Sequence, residues 1–165
     1  MIRILLGVLA TSVTLQVVWN AQGTSAPTSS RTPFQLQVGF AEKDITPEVG
    51  PDKPPVYIAG FGQNRIADGI QDPLFARAVV LSDGTSKIAL VSLDIVGFFY
   101  PHAMRVREAL PGFAHVVVSS THNHEGPDTM GLWGPNPFKN GIDPAYLKRV
   151  EEQSIAAVKE AEQKL

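Results

Sequence analysis

The stretch FARAVVLSDGTSKIALVSLD, residues 75–94, decides the fold that the sequence predicts. Its two halves, residues 75–82 and 87–93, are short runs rich in branched apolar residues, which is typical of β-strands. The dipeptide Asp83-Gly84 between them is a strong turn signal, because glycine adopts the positive φ angles of tight hairpin turns. The stretch therefore predicts an antiparallel hairpin.

The segment FQLQVGF, residues 34–40, predicts a strand that precedes this hairpin. Large apolar residues alternate in it with polar or small ones, which is the pattern of a strand with one buried face. The alternating apolar residues are Phe34, Leu36, Val38 and Phe40. We expect these side chains to form the buried face of the strand.

Three later segments complete the predicted fold. PHAMRVREAL, residues 101–110, begins with proline and predicts a short helix, and HVVVSS, residues 115–120, predicts a buried strand. Asp143 and Pro144 are a typical helix start, and the apolar stripe that follows them continues to Leu165 without a stop signal. This order predicts an α/β or α+β fold, with a mixed β-sheet and flanking helices. Because the last helix has no stop signal, we expect this fold to be an incomplete portion of a larger domain.

Composition and charge exclude several classes of function. The 165 residues include 14 basic and 16 acidic side chains, a net charge of −2, and no basic block stands out. Nucleic acid is therefore not an expected partner, since its binding sites leave clustered Lys and Arg. Cysteine is absent, which excludes disulfides, thiol nucleophiles and Cys-ligated zinc. Any metal must be held by His, Asp, Glu or Tyr.

The N-terminal residues predict export. Residues 1–23 contain Arg3, then an apolar stretch and small residues, which is the plan of a cleaved signal peptide. The chain would then be secreted or periplasmic; the alternative is an uncleaved segment that anchors it to a membrane. Residues 24–33, rich in Ser, Thr and Pro, predict a flexible linker. The folded domain is expected over residues 34–165.

Two of the four histidines lie one residue apart, where the last predicted strand gives way to a glycine-rich loop. In an extended backbone, His122 and His124 would point to the same face, so that both imidazoles could approach one point. Zinc is commonly held by histidine nitrogens and carboxylate oxygens, with a position left for water in catalytic sites. Two interpretations remain open: a metal site, or two polar residues on a surface turn.

Carboxylates near the histidines have open roles as well. Glu125 and Asp128 could be metal ligands, groups that fix the orientation of a histidine, or solvated loop charges. Asp128 could also cap the turn around Gly126-Pro127. Asp94 follows a predicted strand, where it could lie at the rim of an active site or cap a turn.

Five further polar residues have expected roles or environments. Gln63 and Asp68 lie in the glycine-rich segment AGFGQNRIADGI, which could line a pocket, with Gln63 as a substrate-binding residue, or could simply form turns. Arg77, within an apolar run, is expected to form a structural ion pair. Of the remaining histidines, His115 is expected to be structural and His102 to be exposed.

Taken together, four stretches resemble the N-terminal part of the catalytic domain of the neutral/alkaline, non-lysosomal ceramidases. They match in order and spacing, the final QSIAAVKEAEQKL resembles the helix that follows in that family, and the resemblance spans roughly residues 37–165. The stretches are VGFAEKDITP, AGFGQNRIADGIQDPLFARAVVLSDG, IALVSLDIVG and VVVSSTHNHEGP. The block T-H-x-H-x-G-P in the last of them is the most specific element.

The resemblance implies a zinc-dependent amidohydrolase that splits an N-acylsphingosine into fatty acid and sphingoid base. It implies that His122 is a zinc ligand and that His124 lies in the same site, contacting substrate or water. Asp94 and Glu125 are then candidates for carboxylates that support these histidines. The substrate would be a lipid or another amide-containing small molecule, with association at a membrane surface. The family's other zinc ligands and its catalytic serine come later in its sequence, so this chain is not expected to act alone.

Local departures from the family leave alternatives open. The family usually reads T-H-T-H-S/A-G-P-G-G, where this chain has Asn123, Glu125 and Asp128-Thr129. The acidic loop would suit a related hydrolase for a different amide or ester. A second alternative is a non-catalytic, secreted or surface-anchored binding module that uses the loop MGLWGPNPF, and a third is a truncated product without function. The sequence does not give the oligomeric state.

Overall fold

The computed structural model describes residues 35–165; the predicted signal peptide, linker and Phe34 lie outside them. The elements are β1 (Gln37–Asp44), β2 (Phe75–Ser82), β3 (Lys87–Leu93), α1 (Tyr100–Glu108), β4 (His115–Ser120) and α2 (Pro144–Glu162). They form a four-stranded sheet in the order β1-β2-β3-β4, antiparallel except for the parallel pair β3 and β4. The predicted hairpin and the α+β fold with a mixed sheet are confirmed.

Helix α2 begins as the sequence predicts. The side chain of Asp143 accepts a hydrogen bond from the backbone N–H of Ala145 at 2.8 Å, and Pro144 occupies the first turn. The buried stripe of α2 packs on one face of the sheet, chiefly on β1 and β2. The core contains Ala41, Ile45, Ala78, Val80, Val91, Leu93, Val106, Val150, Ala157, Val158 and Ala161.

The predicted buried face of β1 is wrong. Leu36, Val38 and Phe40 are about half exposed, whereas Gly39 and Ala41 face the core. The cause is the close approach of α2: a Cβ atom on Gly39 would lie 1.8 Å from the carbonyl oxygen of Ala161. Only very small residues fit under the helix, so the large apolar side chains of β1 occupy the opposite face of the sheet.

This close approach yields a prediction. Gly39→Ala is expected to lower the free energy of unfolding by about 1–3 kcal/mol, because the methyl group must displace the backbone of α2. Gly112→Ala is the control, since the nearest atom to a Cβ there is Lys87 Nζ at 4.0 Å. Urea unfolding of both variants measures the difference, and equal stability of the two would contradict the packing described here.

His102 is not exposed as predicted. Its side chain is 20% exposed and its Nδ1 lies 2.5 Å from Glu151 Oε1, so it joins α1 to α2. Arg105 donates to both carboxylate oxygens of Glu151. Burial alone would raise the pKa of Glu151, but the hydrogen bonds from Arg105 and His102 together outweigh it and lower that pKa.

Among residues 35–165, no helix combines the length and the apolar composition that crossing a bilayer needs.

Candidate active site

The two histidines lie where three loops meet, residues 57–66, 121–128 and 129–141. Backbone hydrogen bonds join the loops, from Ala59 N to Gly126 O at 2.9 Å and from Asn64 N to Gly134 O at 2.7 Å. The loop with the histidines starts at the carboxyl end of β4. Because β4 runs parallel to β3, the segments that follow the two strands begin at the same edge of the sheet.

His122 is held by the backbone that follows β3. Its Nδ1 lies 2.8 Å from the carbonyl oxygen of Val96 and can only donate to it, which places the proton on Nδ1 and leaves Nε2 with a lone pair that faces His124 Nε2 at 3.2 Å. His122 has a φ of 62°. The two imidazoles therefore meet because the chain turns at His122, and not because the strand continues through both residues.

His124 lies in a tight cradle. Its Nε2 is 3.2 Å from Nε2 of His122, and its ring contacts the rings of Phe61 and Trp133 edge-on, with centroids 5.7 Å apart in both cases. A Cβ atom on Gly60 would lie 2.2 Å from His124 Nδ1, so the cradle requires glycine there. His124 Nδ1 is buried and has no hydrogen-bond partner within residues 35–165.

The loop that forms this cradle is strained. Gly60 has a φ of 87°, and Phe61 and Asn64, which carry side chains, both have a φ of 58°. Positive φ is costly for a bulky residue such as phenylalanine and persists where surrounding contacts enforce it. Arg65 supplies two such contacts, with Nη1 donating to Gly60 O at 3.2 Å and the guanidinium over the Phe61 ring at 5.3 Å.

The pair of histidines fits part of a metal centre. Two nitrogens bound to one tetrahedral zinc at about 2.0–2.1 Å lie roughly 3.3–3.4 Å apart. The 3.2 Å between the Nε2 atoms is close to that separation. His122 also has the partner at Nδ1 that metal-bound histidines usually have, whereas His124 lacks one. In the part of the chain that the structure describes, no group of three or more His, Cys, Asp or Glu side chains could hold a metal ion.

Asp128 anchors the third loop, whereas the sequence suggested a metal ligand, a group that orients a histidine, a solvated charge or a cap for the turn at Gly126-Pro127. It is 1% exposed, and its carboxylate accepts five backbone N–H groups at 2.8–3.3 Å. The donors are Met130, Gly131, Leu132, Trp133 and Gly141. This one side chain thereby fixes the path of the loop that carries Trp133 to His124.

Gln63 joins two of the loops. Its Nε2 donates to Leu132 O at 2.9 Å, and its Oε1 accepts from Gly134 N at 2.9 Å. Both ends of the amide are thus engaged in holding the first loop to the third. Substrate binding by Gln63 stays a prediction.

Within residues 35–165, no hydrogen bond or ion pair joins the side chains of Asp94 and Glu125 to the two histidines. Asp94 Oδ2 accepts from Arg77 Nη1 at 2.6 Å and from Phe75 N at 3.0 Å, so Arg77 forms an ion pair as the sequence suggested. Glu125 is exposed and pairs with Arg65 at 3.1 Å. The group that orients His122 is instead the backbone carbonyl of Val96, which no side-chain pattern could have indicated.

A cavity of about 600 Å³ adjoins the site, a volume typical of small-molecule pockets. The first loop and the histidine loop both contribute to its walls, and Asp68, Ile70, Asn123, Glu125 and Pro127 are among the lining residues. Neither histidine lines it. Asp68 thus lines a pocket, which was one of the two roles predicted for it, the other being turn formation.

The fold is shared with solved ceramidases. Neutral ceramidase from Pseudomonas aeruginosa superimposes with a TM-score of 0.65 and 21% sequence identity, over 81% of this chain and 22% of that one. A structure described as ceramidase complexed with C2 gives a TM-score of 0.63 and 22% identity, over 78% and 21% of the two chains. This chain therefore spans about a fifth of their length. No family model and no curated protein matches the chain. The expected resemblance is confirmed at the level of the fold.

Proposed function

We propose that the chain is part of a zinc-dependent amide hydrolase of neutral ceramidase type. It would cleave N-acylsphingosine into fatty acid and sphingoid base, and it would need residues outside 35–165 to do so. The observation that carries the proposal is the unprotonated Nε2 of His122, held in place through Nδ1 by the Val96 carbonyl and facing His124 Nε2. The fold shared with two ceramidases supports the same assignment.

Each histidine has a distinct part in this proposal. His122 would hold the metal through Nε2, while ligands from outside the described residues complete the centre. When bound, zinc supplies a Lewis acid and lowers the pKa of a coordinated water. His124 would keep its proton on Nε2, where it can donate to an oxygen of the reacting amide, and leave the buried Nδ1 as an acceptor. An unpaired acceptor is better tolerated there than an unpaired N–H.

Exposed apolar side chains near the histidines support a lipid substrate and association with a membrane surface. Phe61, Leu132 and Phe138 are 78%, 57% and 99% exposed. They lie on the first and third loops, which Gln63 joins. Export through the predicted signal peptide, or anchoring by it, would place these loops at the outer side of a membrane.

A related hydrolase for a different amide or ester is the second candidate. The observation that favours it is the exposed carboxylate of Glu125 in the histidine loop, where the family usually has a small residue. This charge would disfavour a purely apolar substrate close to the metal. The non-catalytic binding module is the third candidate, and it predicts no bound zinc.

The experiment compares the chain alone with the open reading frame that contains it. We expect about one zinc per chain and hydrolysis of N-lauroylsphingosine in the longer polypeptide, and little zinc and no hydrolysis with the chain alone. Chelation should remove the activity and added zinc should restore it. Activity towards an N-acyl ethanolamine or a nitrophenyl ester, but not ceramide, would favour the second candidate. Zinc in neither polypeptide would contradict both hydrolase proposals.

A further inference from the structure

Arg65 contacts the chain on both sides of the His124 imidazole. Its Nη1 donates to the carbonyl oxygen of Gly60 at 3.2 Å, and its Nη2 lies 3.1 Å from Oε2 of Glu125, the residue that follows His124. Its guanidinium also lies over the ring of Phe61, 5.3 Å from the centroid. One side chain thereby joins the strained segment of the first loop to the histidine loop.

The two residues that Arg65 holds on the first loop both lie against His124. A Cβ atom on Gly60 would lie 2.2 Å from His124 Nδ1, and the Phe61 ring is edge-on to the imidazole with centroids 5.7 Å apart. Phe61 has a φ of 58°, which is costly for a bulky side chain, so this backbone would relax if the contacts that enforce it were removed. Loss of Arg65 would therefore move one wall of the cradle around His124.

The other contacts of His124 do not fix its ring as firmly as those of His122. The ring of Trp133 packs edge-on against it, but its buried Nδ1 has no hydrogen-bond partner within residues 35–165. His122, by contrast, is oriented by the hydrogen bond from its Nδ1 to the carbonyl oxygen of Val96. The orientation of the His124 ring therefore depends chiefly on packing, and so on what holds the packing residues in place.

We infer that Arg65 positions His124 for the reaction by holding the cradle around its ring closed. The inference rests on the proposed function, in which His124 donates to an oxygen of the reacting amide. Arg65 acts through Gly60, Phe61 and Glu125, so it is a positioning residue and not a catalytic one. A planar guanidinium can donate to a carbonyl and a carboxylate while it stacks on a ring, which the ammonium group of a lysine cannot do.

Arg65→Ala in the longer polypeptide tests the inference. We expect kcat to fall ~10–100-fold while KM stays within ~2-fold, because a misplacement of about 1 Å slows the reaction without removing ground-state binding. The zinc content should be unchanged, since the hydrogen bond between His122 and Val96 is not touched. A wild-type kcat would overturn the inference. Parallel loss of zinc and hydrolysis would overturn it as well, because Arg65 would then support the whole site.

Two further variants separate positioning from charge. Arg65→Lys keeps the charge but cannot make the three contacts together, so kcat should remain low; full activity of this variant would contradict the geometry described here. Arg105→Ala is the matched control, because Arg105 also donates to a carboxylate, that of Glu151, but joins α1 to α2. Its kcat, KM and zinc content should equal those of the wild type.

A spectroscopic measurement separates failure of this inference from failure of the proposed function. NMR spectra of the longer polypeptide with labelled histidine report on the His124 ring, which lies beside the aromatic rings of Phe61 and Trp133. We expect Arg65→Ala to shift the His124 signals and to leave those of His115, at the start of β4, in place. A wild type without zinc and hydrolysis would contradict the proposed function alone, whereas unshifted His124 signals would overturn the positioning by Arg65.

Discussion

Replacing Asp128 with alanine is expected to lower the free energy of unfolding by about 3–5 kcal/mol, since each buried N–H group left without an acceptor costs about 1–3 kcal/mol. The variant leaves five backbone N–H groups of the third loop without their acceptor. Some of these groups would recover hydrogen bonds to water only if the loop opens. Urea unfolding measures the loss, and faster hydrogen exchange at the amides of Met130 to Trp133 would locate it in the loop.

Two variants control this prediction. Asp128→Asn keeps the shape of the side chain but replaces one acceptor oxygen with an NH₂ group, which cannot accept the backbone N–H bonds made there. We therefore expect a loss of stability between those of the wild type and Asp128→Ala. Asp83→Ala removes a carboxylate that also accepts two backbone N–H groups, from Thr85 and Ser86, but in an exposed turn. The expected loss there is about 1 kcal/mol. Equal losses of unfolding free energy for Asp83→Ala and Asp128→Ala would contradict the prediction, because the burial of Asp128 would then add nothing to the stability.

Replacing His122 with alanine is expected to reduce zinc in the longer polypeptide from about one per chain to below ~0.1, and to abolish hydrolysis. The reason is that the hydrogen bond from His122 Nδ1 to Val96 O fixes the orientation of the ring, and with it the direction of the Nε2 lone pair that would bind the metal. Elemental analysis of the dialysed protein measures the zinc content. Unchanged zinc and activity would exclude His122 as a ligand.

Two histidine variants complete this test. His115→Ala removes a histidine that lies exposed at the start of β4, so zinc and activity should be unchanged. His124→Ala should retain zinc and lose hydrolysis if His124 handles a proton. Loss of zinc in His124→Ala as well would make both histidines ligands of one ion, which their 3.2 Å separation also permits.

Local signals predicted the elements of the fold well. Asp83-Gly84 indicated the hairpin, and Asp143-Pro144 indicated the start of α2, because turns and caps depend on residues adjacent in sequence. The buried face of β1 could not be predicted in the same way. Alternation shows that a strand has two kinds of face, but which face is buried depended on the distance to α2, a tertiary property.

In the candidate site, too, the sequence indicated local features but not those that depend on tertiary contacts. The spacing of His122 and His124 indicated that the two rings meet, although the turn at His122 is what brings them together. The Val96 carbonyl and the five donors to Asp128 are backbone groups, which every residue carries and which no sequence pattern distinguishes. Long-range backbone contacts therefore account for most of what the sequence did not reveal.

The bond from His122 to Val96 has an evolutionary consequence. Because the acceptor is a main-chain carbonyl, no substitution at position 96 that preserves the backbone removes it. Such substitutions therefore leave the orientation of the imidazole unchanged. Where a carboxylate side chain orients a histidine, by contrast, its substitution removes the hydrogen bond. The orientation of His122 is inherited with the fold itself and does not depend on which apolar side chain fills position 96.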